Sequence, residues 1–254
     1  MEPGARLAVV PAFLLDAGPN HPEEFPVQIV TRHTPAFGVA RCQLDSGERI
    51  RVESGAMMAT SAGVAIEAKV EGGLMKGLKR SVLGGESLFI TTYTAPAEGG
   101  WVDVAAHLPG DLVTRELTPD RALFLARGAW LASPAEVEVD AKWGGFKALV
   151  GGEGGFLIRL SGSGPVVVAC YGALDTVRLG DGERLVLDSG HMVAFEEGVQ
   201  MTLRRAVEGR SIQSLKSGEG FVFEFVGPGE VLTQTRNPGA LVGWLTTALP
   251  FERA

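Results

Sequence analysis

One eleven-residue pattern occurs three times, and no other feature restricts the possible folds of this chain as much. Residues 47–57 read GERIRVESGAM, residues 120–130 read DRALFLARGAW, and residues 182–192 read GERLVLDSGHM. In each copy an acidic residue and an arginine (Arg49, Arg121 or Arg184) open a short apolar stretch. That stretch ends at a glycine (Gly55, Gly128 or Gly190), and a large apolar residue follows two places later. Arg49 to Glu53 alternates polar and apolar side chains, the period of a half-buried strand. A glycine closing such a strand marks a turn that needs positive φ or close approach of two backbones.

A second landmark follows the first in the same order each time. Gly84 and Gly85 precede Leu88-Phe89-Ile90, Gly154 and Gly155 precede Phe156-Leu157-Ile158, and Gly218 and Gly220 precede Phe221-Val222-Phe223. Two landmarks in constant order imply three imperfect copies of one antiparallel module. The repeat is too long for a solenoid coil. The expected fold is therefore all-β: antiparallel β-sandwich modules, like a double-stranded β-helix, in three repeats near 38–107, 111–172 and 173–236. Residues 1–24 read as a lead-in, and 25–254 as a single β domain. Asn237-Pro238-Gly239 followed by ALVGWL predicts a short C-terminal helix, because proline suits the first helical turn. The three arginines most simply cap strand edges or pair with neighbouring carboxylates; one ligand site shared by all three is the sharper alternative.

Composition excludes several functions. A net charge of −7 opposes nonspecific nucleic-acid binding, which needs a basic face. The four histidines, His21, His33, His107 and His191, are too scattered to suggest a metal site, and no cofactor is expected. There is no Gly-x-Ser-x-Gly elbow and no phosphate loop; the run GGEGGF lacks the lysine such a loop uses. Cys42 and Cys170 sit in apolar surroundings and read as buried thiols of a reducing compartment. No catalytic constellation emerges, so the chain is expected not to be an enzyme.

The one interruption of the β pattern is Val70 to Phe89. Between its glycine pairs lies LMKGLKRSVL, which at helical spacing puts Leu74 and Leu78 on one face, with Met75 and Val82 adjoining, and sets Lys76, Lys79 and Arg80 mostly elsewhere. Leu74, Met75, Lys76, Leu78, Lys79 and Arg80 are the candidate contact for a protein partner or an anionic membrane surface. The competing reading is a short helix that plugs one end of the β body. Basic residues recur in the counterpart stretches 141–150 and 206–216, as a structural connector would require.

The run GGLMKGLKRSVLGGESLF, with ERIRVESGAMM before it and EVLTQTRNPGAL near the end, resembles the altered-inheritance-of-mitochondria (mitochondrial biogenesis) family and its bacterial relatives. The resemblance covers about Phe25 to Leu249. It implies a fold similar to the tryptophan RNA-binding attenuator protein, duplicated within the chain and assembled as a homotrimer. It implies no established enzymatic activity and an association with membrane organisation. The chain shows no transit-peptide pattern, so a cytoplasmic bacterial relative, peripheral at a membrane, is expected. The expected function is a noncatalytic oligomeric β scaffold that contacts a partner or membrane surface. The alternative is a small-ligand or RNA-binding module, although a shared fold does not carry a ligand with it.

Overall fold

The computed structural model describes residues 27–70, 89–142, 157–205 and 221–249. The first repeat is preceded by β1 (Gln28–Arg32) and comprises β2 (Val39–Leu44), β3 (Arg49–Glu53), β4 (Met57–Thr60), β5 (Ala65–Val70), β6 (Phe89–Thr94) and β7 (Gly100–Ala105). The second contains β8 (Leu112–Leu117), β9 (Leu123–Ala126), β10 (Trp130–Pro134), β11 (Glu138–Lys142), β12 (Leu157–Ser161) and β13 (Gly164–Ala169). The third contains β14 (Leu174–Leu179), β15 (Arg184–Asp188), β16 (Met192–Glu196), β17 (Gln200–Arg205), β18 (Phe221–Val226) and β19 (Gly229–Gln234). Helix α1 (Pro238–Ala248) follows, with Pro238 in its first turn and the Asn237 side chain accepting from the Ala240 N–H.

Each repeat folds into two three-stranded antiparallel halves. One half joins the first, sixth and third strands of the repeat; the other joins the second, fifth and fourth. The halves do not stay within their own repeat. β5-β6-β3 continues edge to edge into β10-β13-β8, and β11-β12-β9 continues into β16-β19-β14, so two six-stranded sheets each span two repeats. The half-sheets left over stand at the two ends: β2-β7-β4, extended by β1 on the β2 side, and β15-β18-β17.

Both internal junctions are built alike. Ala132 and Ser133 pair with Val52 and Arg51 at the first, and Ala194 and Phe195 pair with Leu125 and Phe124 at the second. Each is closed by an equivalent backbone bond, the Ala135 N–H to the Arg49 carbonyl or the Glu197 N–H to the Ala122 carbonyl. The third strand of every repeat carries a register shift at the same place, after Met57, Trp130 or Met192. A bulge there adds twist, which lets the strand leave one sandwich and complete the next.

Three cores result. The first gathers Ile50, Val52, Val102, Val104 and Leu131; the second surrounds Trp130, Leu125 and Leu160; the third is built on Phe225, Phe195 and Val231. In the third, Phe124 stacks on Phe195 at 5.2 Å between ring centres, and Phe225 tilts against Phe195 at 5.5 Å. The repeated turn glycines meet their two needs separately: Gly55 and Gly128 have φ of 96° and 77°, whereas at Gly190 the Asn237 side chain occupies the space a Cβ would take.

Candidate interaction edges and clefts

The internal junctions show what covers the third and second strands of a repeat. β10 and β16 are covered by the repeat before them, and β3 and β9 by the repeat after them. Among the described residues the equivalent cover is not present for β4 or β15. Among the described residues each pairs on one side only, β4 with β7 and β15 with β18. They are the edges that stay open at positions paired at both internal junctions.

Side-chain burial agrees with the backbone pairing. Trp130 and Leu131 are wholly buried and Met192 and Val193 nearly so, yet their counterparts Met57 and Met58 are 37% and 52% exposed. On the other half, Ile50 and Val52, and Leu123 and Leu125, are buried; the corresponding Leu185 and Leu187 are only half-buried, with Val186 between them 52% exposed. Apolar side chains are retained at both ends, at positions that are covered in the middle of the chain. An unpaired edge with apolar side chains is a template for another strand.

The repeated arginines do not converge. Arg49 and Arg184 begin β3 and β15, but Arg121 lies before β9, one place out of step, with its N–H on the Thr118 carbonyl. Arg184 pairs with Glu224 at 2.6 Å, and Arg121 stands 4.0 Å from Glu196. Both are surface pairs of little energetic consequence. Leu74, Met75, Lys76, Leu78, Lys79 and Arg80, and the glycine pairs Gly84–Gly85, Gly154–Gly155 and Gly218–Gly220, lie outside the described residues.

Among the described residues, two of the surface clefts bear on function. One of ≈ 210 Å³ lies where the repeats end and is lined by His107, Arg127, Cys170, Tyr171, Met192 and Gln234. Close by, Glu53 buries one carboxylate oxygen without a hydrogen bond, and desolvation raises its pKa against the opposing pull of His107 and Arg127. The second, of ≈ 530 Å³, is walled by Arg115, Glu116, Asp120, Arg121, Glu196 and Glu230. Its arginines face carboxylates, Arg115 lying 3.3 Å from Glu230, so it offers no basic groove. Burial pushes the Cys42 thiol up to about 12 and the Cys170 thiol to about 11, so both stay protonated and unreactive at neutral pH. Among the described residues no three His, Cys, Asp or Glu side chains cluster as metal ligands. No described helix is long and apolar enough to cross a membrane.

The most buried charge lies elsewhere. Asp103 on β7 is 2% exposed and receives two hydrogen bonds each from Arg32 and Arg41, the shortest 2.6 Å. Arg41 lies over the Trp101 ring at 3.8 Å. The bonds from Arg41 and Arg32 hold the Asp103 carboxyl at about 2, below its ordinary 3.8, against the cost of burial. Valine and leucine, Val167 and Leu232, stand at the matching positions of the other repeats. The cluster therefore belongs to β1, the one strand without a counterpart, and fastens it to the sheet. Sequence reading missed it because the partners are 62 and 71 residues apart.

A tandem array of three antiparallel β modules that share sheets is the class of protein that this fold defines. The chain belongs to the mitochondrial biogenesis AIM24 family, whose model matches residues 29–236. It is 30% identical over 223 residues to an uncharacterised protein of Streptococcus pyogenes serotype M6, spanning 84% of this chain and 88% of that one. A crystal structure of a protein from Streptococcus pyogenes is similar with a TM-score of 0.74 at 26% identity, covering 88% of this chain and all of that one.

Proposed function

We propose that the chain is a noncatalytic scaffold that assembles with itself head to tail, β15 of one copy pairing with β4 of the next. The carrying observation is the pair of unpaired edges at positions that are paired at both internal junctions. Repetition of the internal register aligns Leu187 with Ala59, Val186 with Thr60 and Leu185 with Ser61 of the neighbour. The closing bond would run from the Ala62 N–H to the Arg184 carbonyl. Such a contact is heterologous, so it closes into a ring or runs on as a filament. The homotrimer implied by the family resemblance would be a ring of nine modules.

The test uses that asymmetry. Met58→Glu spoils β4 and Val186→Lys spoils β15; both sites are exposed within one copy, so folding is spared. A charge trapped at the contact costs about 2 kcal/mol or more, roughly 30-fold in affinity. Sedimentation should show wild type as a multiple of 26.7 kDa and each variant as a monomer. An equimolar mixture of the two variants should form a one-to-one dimer that grows no further, since one sound half of each kind remains. Wild type that is monomeric at every concentration would overturn the proposal.

Contact of the scaffold with a protein partner or an anionic membrane through Leu74, Met75, Lys76, Leu78, Lys79 and Arg80 is part of the same proposal and rests on sequence alone. Replacing Lys76, Lys79 and Arg80 with alanine should abolish flotation with anionic liposomes, and equal recovery of both proteins would remove the membrane contact. Two features count against the ligand- or RNA-binding alternative: mixed charge in the larger cleft, and a smaller cleft below the usual volume of ligand sites.

A further inference from the structure

Corresponding positions of the three repeats follow from the pairing of β2 with β7, β8 with β13 and β14 with β19. On the face that lines each module's own core, the pair Ala40–Val104 becomes Val113–Val168 and then Asp175–Thr233. On the opposite face, Arg41–Asp103 becomes Thr114–Val167 and then Thr176–Leu232. The two kinds of face meet where one repeat follows another. Ala40 and Val104 share a core with Val167, and Val113 and Val168 pack in the next with Leu232. At the second junction Arg115, in the place of Cys42 and Val177, donates from Nη2 to Oγ1 of Thr176 at 2.9 Å. Both internal trios are apolar. The trio left to the two ends of the array is Asp175, Thr233 and Asp103.

Asp103 stands in that trio with Arg32 and Arg41, so the cluster on this face of β2 and β7 carries one net positive charge. A guanidinium has five N–H donors. Arg32 and Arg41 each give two to Asp103, and both are about a third exposed. Asp175 brings the opposite charge. It is exposed, whereas Ala40 at the matching position is wholly buried. In the register above, Arg41 of the neighbouring copy would take the place of Thr176 and come beside Val177. Asp175 is two residues from Val177 on the same face, about 7 Å along the strand and within an arginine's reach. A carboxylate covered there by an apolar face would be a buried unpaired charge; guanidinium groups offset that cost.

We propose that charge selects the partner at the junction between copies: Asp175 of one copy pairs with Arg32 and Arg41 of the next, completing the Asp103 cluster. This rests on the head-to-tail assembly, and it makes the contact between copies a polar variant of the apolar internal junctions. It also disfavours like ends, since two β4 edges would bring two arginine clusters together. Asp175→Ala decides by its sign. It restores the residue of the first repeat, so a merely apolar junction would tighten, whereas a charge-matched one weakens roughly 5- to 30-fold. Asp175→Asn, which keeps the shape, should weaken it similarly. Asp175 is exposed within one copy, so both variants should melt with wild type. Sedimentation equilibrium of the full chain is run at low and high sodium chloride, about 0.05 and 0.5 M, where screening differs. Wild type should dissociate more readily at high salt, and both variants should lose most of that dependence. Variants that assemble as tightly as wild type, or more so, would overturn the charge pairing and leave the assembly standing. Wild type that stays monomeric at low salt would overturn both.

Discussion

Trp130→Ala should unfold the chain about 3–5 kcal/mol more easily than wild type, the usual cost of removing a fully buried tryptophan. For a chain of 254 residues that lowers the melting temperature by roughly 10 °C, read by calorimetry or circular dichroism. Trp130 is wholly buried at the first internal junction and packs in one core with Ile90 of the first repeat and Leu117, Val137 and Val168 of the second. Its indole N–H donates to the Ser133 hydroxyl at 3.3 Å, a buried bond that the truncation also removes. A cavity there loosens two modules together, so the transition should stay single while it moves down. Met57→Ala is the control: the same position of the motif, 37% exposed, should cost under about 1 kcal/mol in the isolated chain. Equal losses for the two would mean that the junction contributes little to cohesion.

Asp103→Ala should be the most damaging change of a polar residue, at about 2–4 kcal/mol. The carboxylate is the only group that satisfies both Arg32 and Arg41 in the described contacts, and its removal leaves two guanidinium groups facing each other over a buried strand. Both arginines are about a third exposed and can turn to water, which keeps the cost below that of a fully buried orphan charge. β1 should then exchange its amide hydrogens much faster, because among the described strands β2 is its only paired neighbour. The same group sets an acid limit. Its folded pKa is depressed, so its stabilisation is complete above the ordinary 3.8 and is lost as pH falls through about 2. The difference is worth about 2 kcal/mol. Stability of wild type should fall over that window while Asp103→Asn stays flatter; parallel curves would place the acid sensitivity elsewhere.

Much of the fold is legible in the sequence because its signals are local. Alternation in Arg49 to Glu53, the glycines that close the repeated strands, and Asn237-Pro238 before α1 each act within a few residues. The all-β antiparallel architecture and the short terminal helix follow from them, and the ranges 38–107, 111–172 and 173–236 each hold six equivalent strands. The arginine of the motif misleads for a related reason. Arg121 looks like Arg49 and Arg184 by eye, but a one-residue slip puts it in a turn and sends the strand position to Ala122. The candidate contact that attracted most weight, Leu74 to Arg80, belongs to the connection between β5 and β6, outside the described residues. The open edges could not be read beforehand, since Met57, Trp130 and Met192 occupy one motif position and differ only in what covers them.

The sequence by itself determined which segments are strands, where they turn, and that three modules repeat, because strand period and turn chemistry are written in neighbouring residues. Only the tertiary structure decided that each module lends half its sheet to the next. Backbone hydrogen bonds between distant strands carry no side-chain code of their own, and any edge can in principle meet any other. Burial shows the difference: the same apolar pattern is enclosed in a core at Trp130 and exposed at Met57 and Met58.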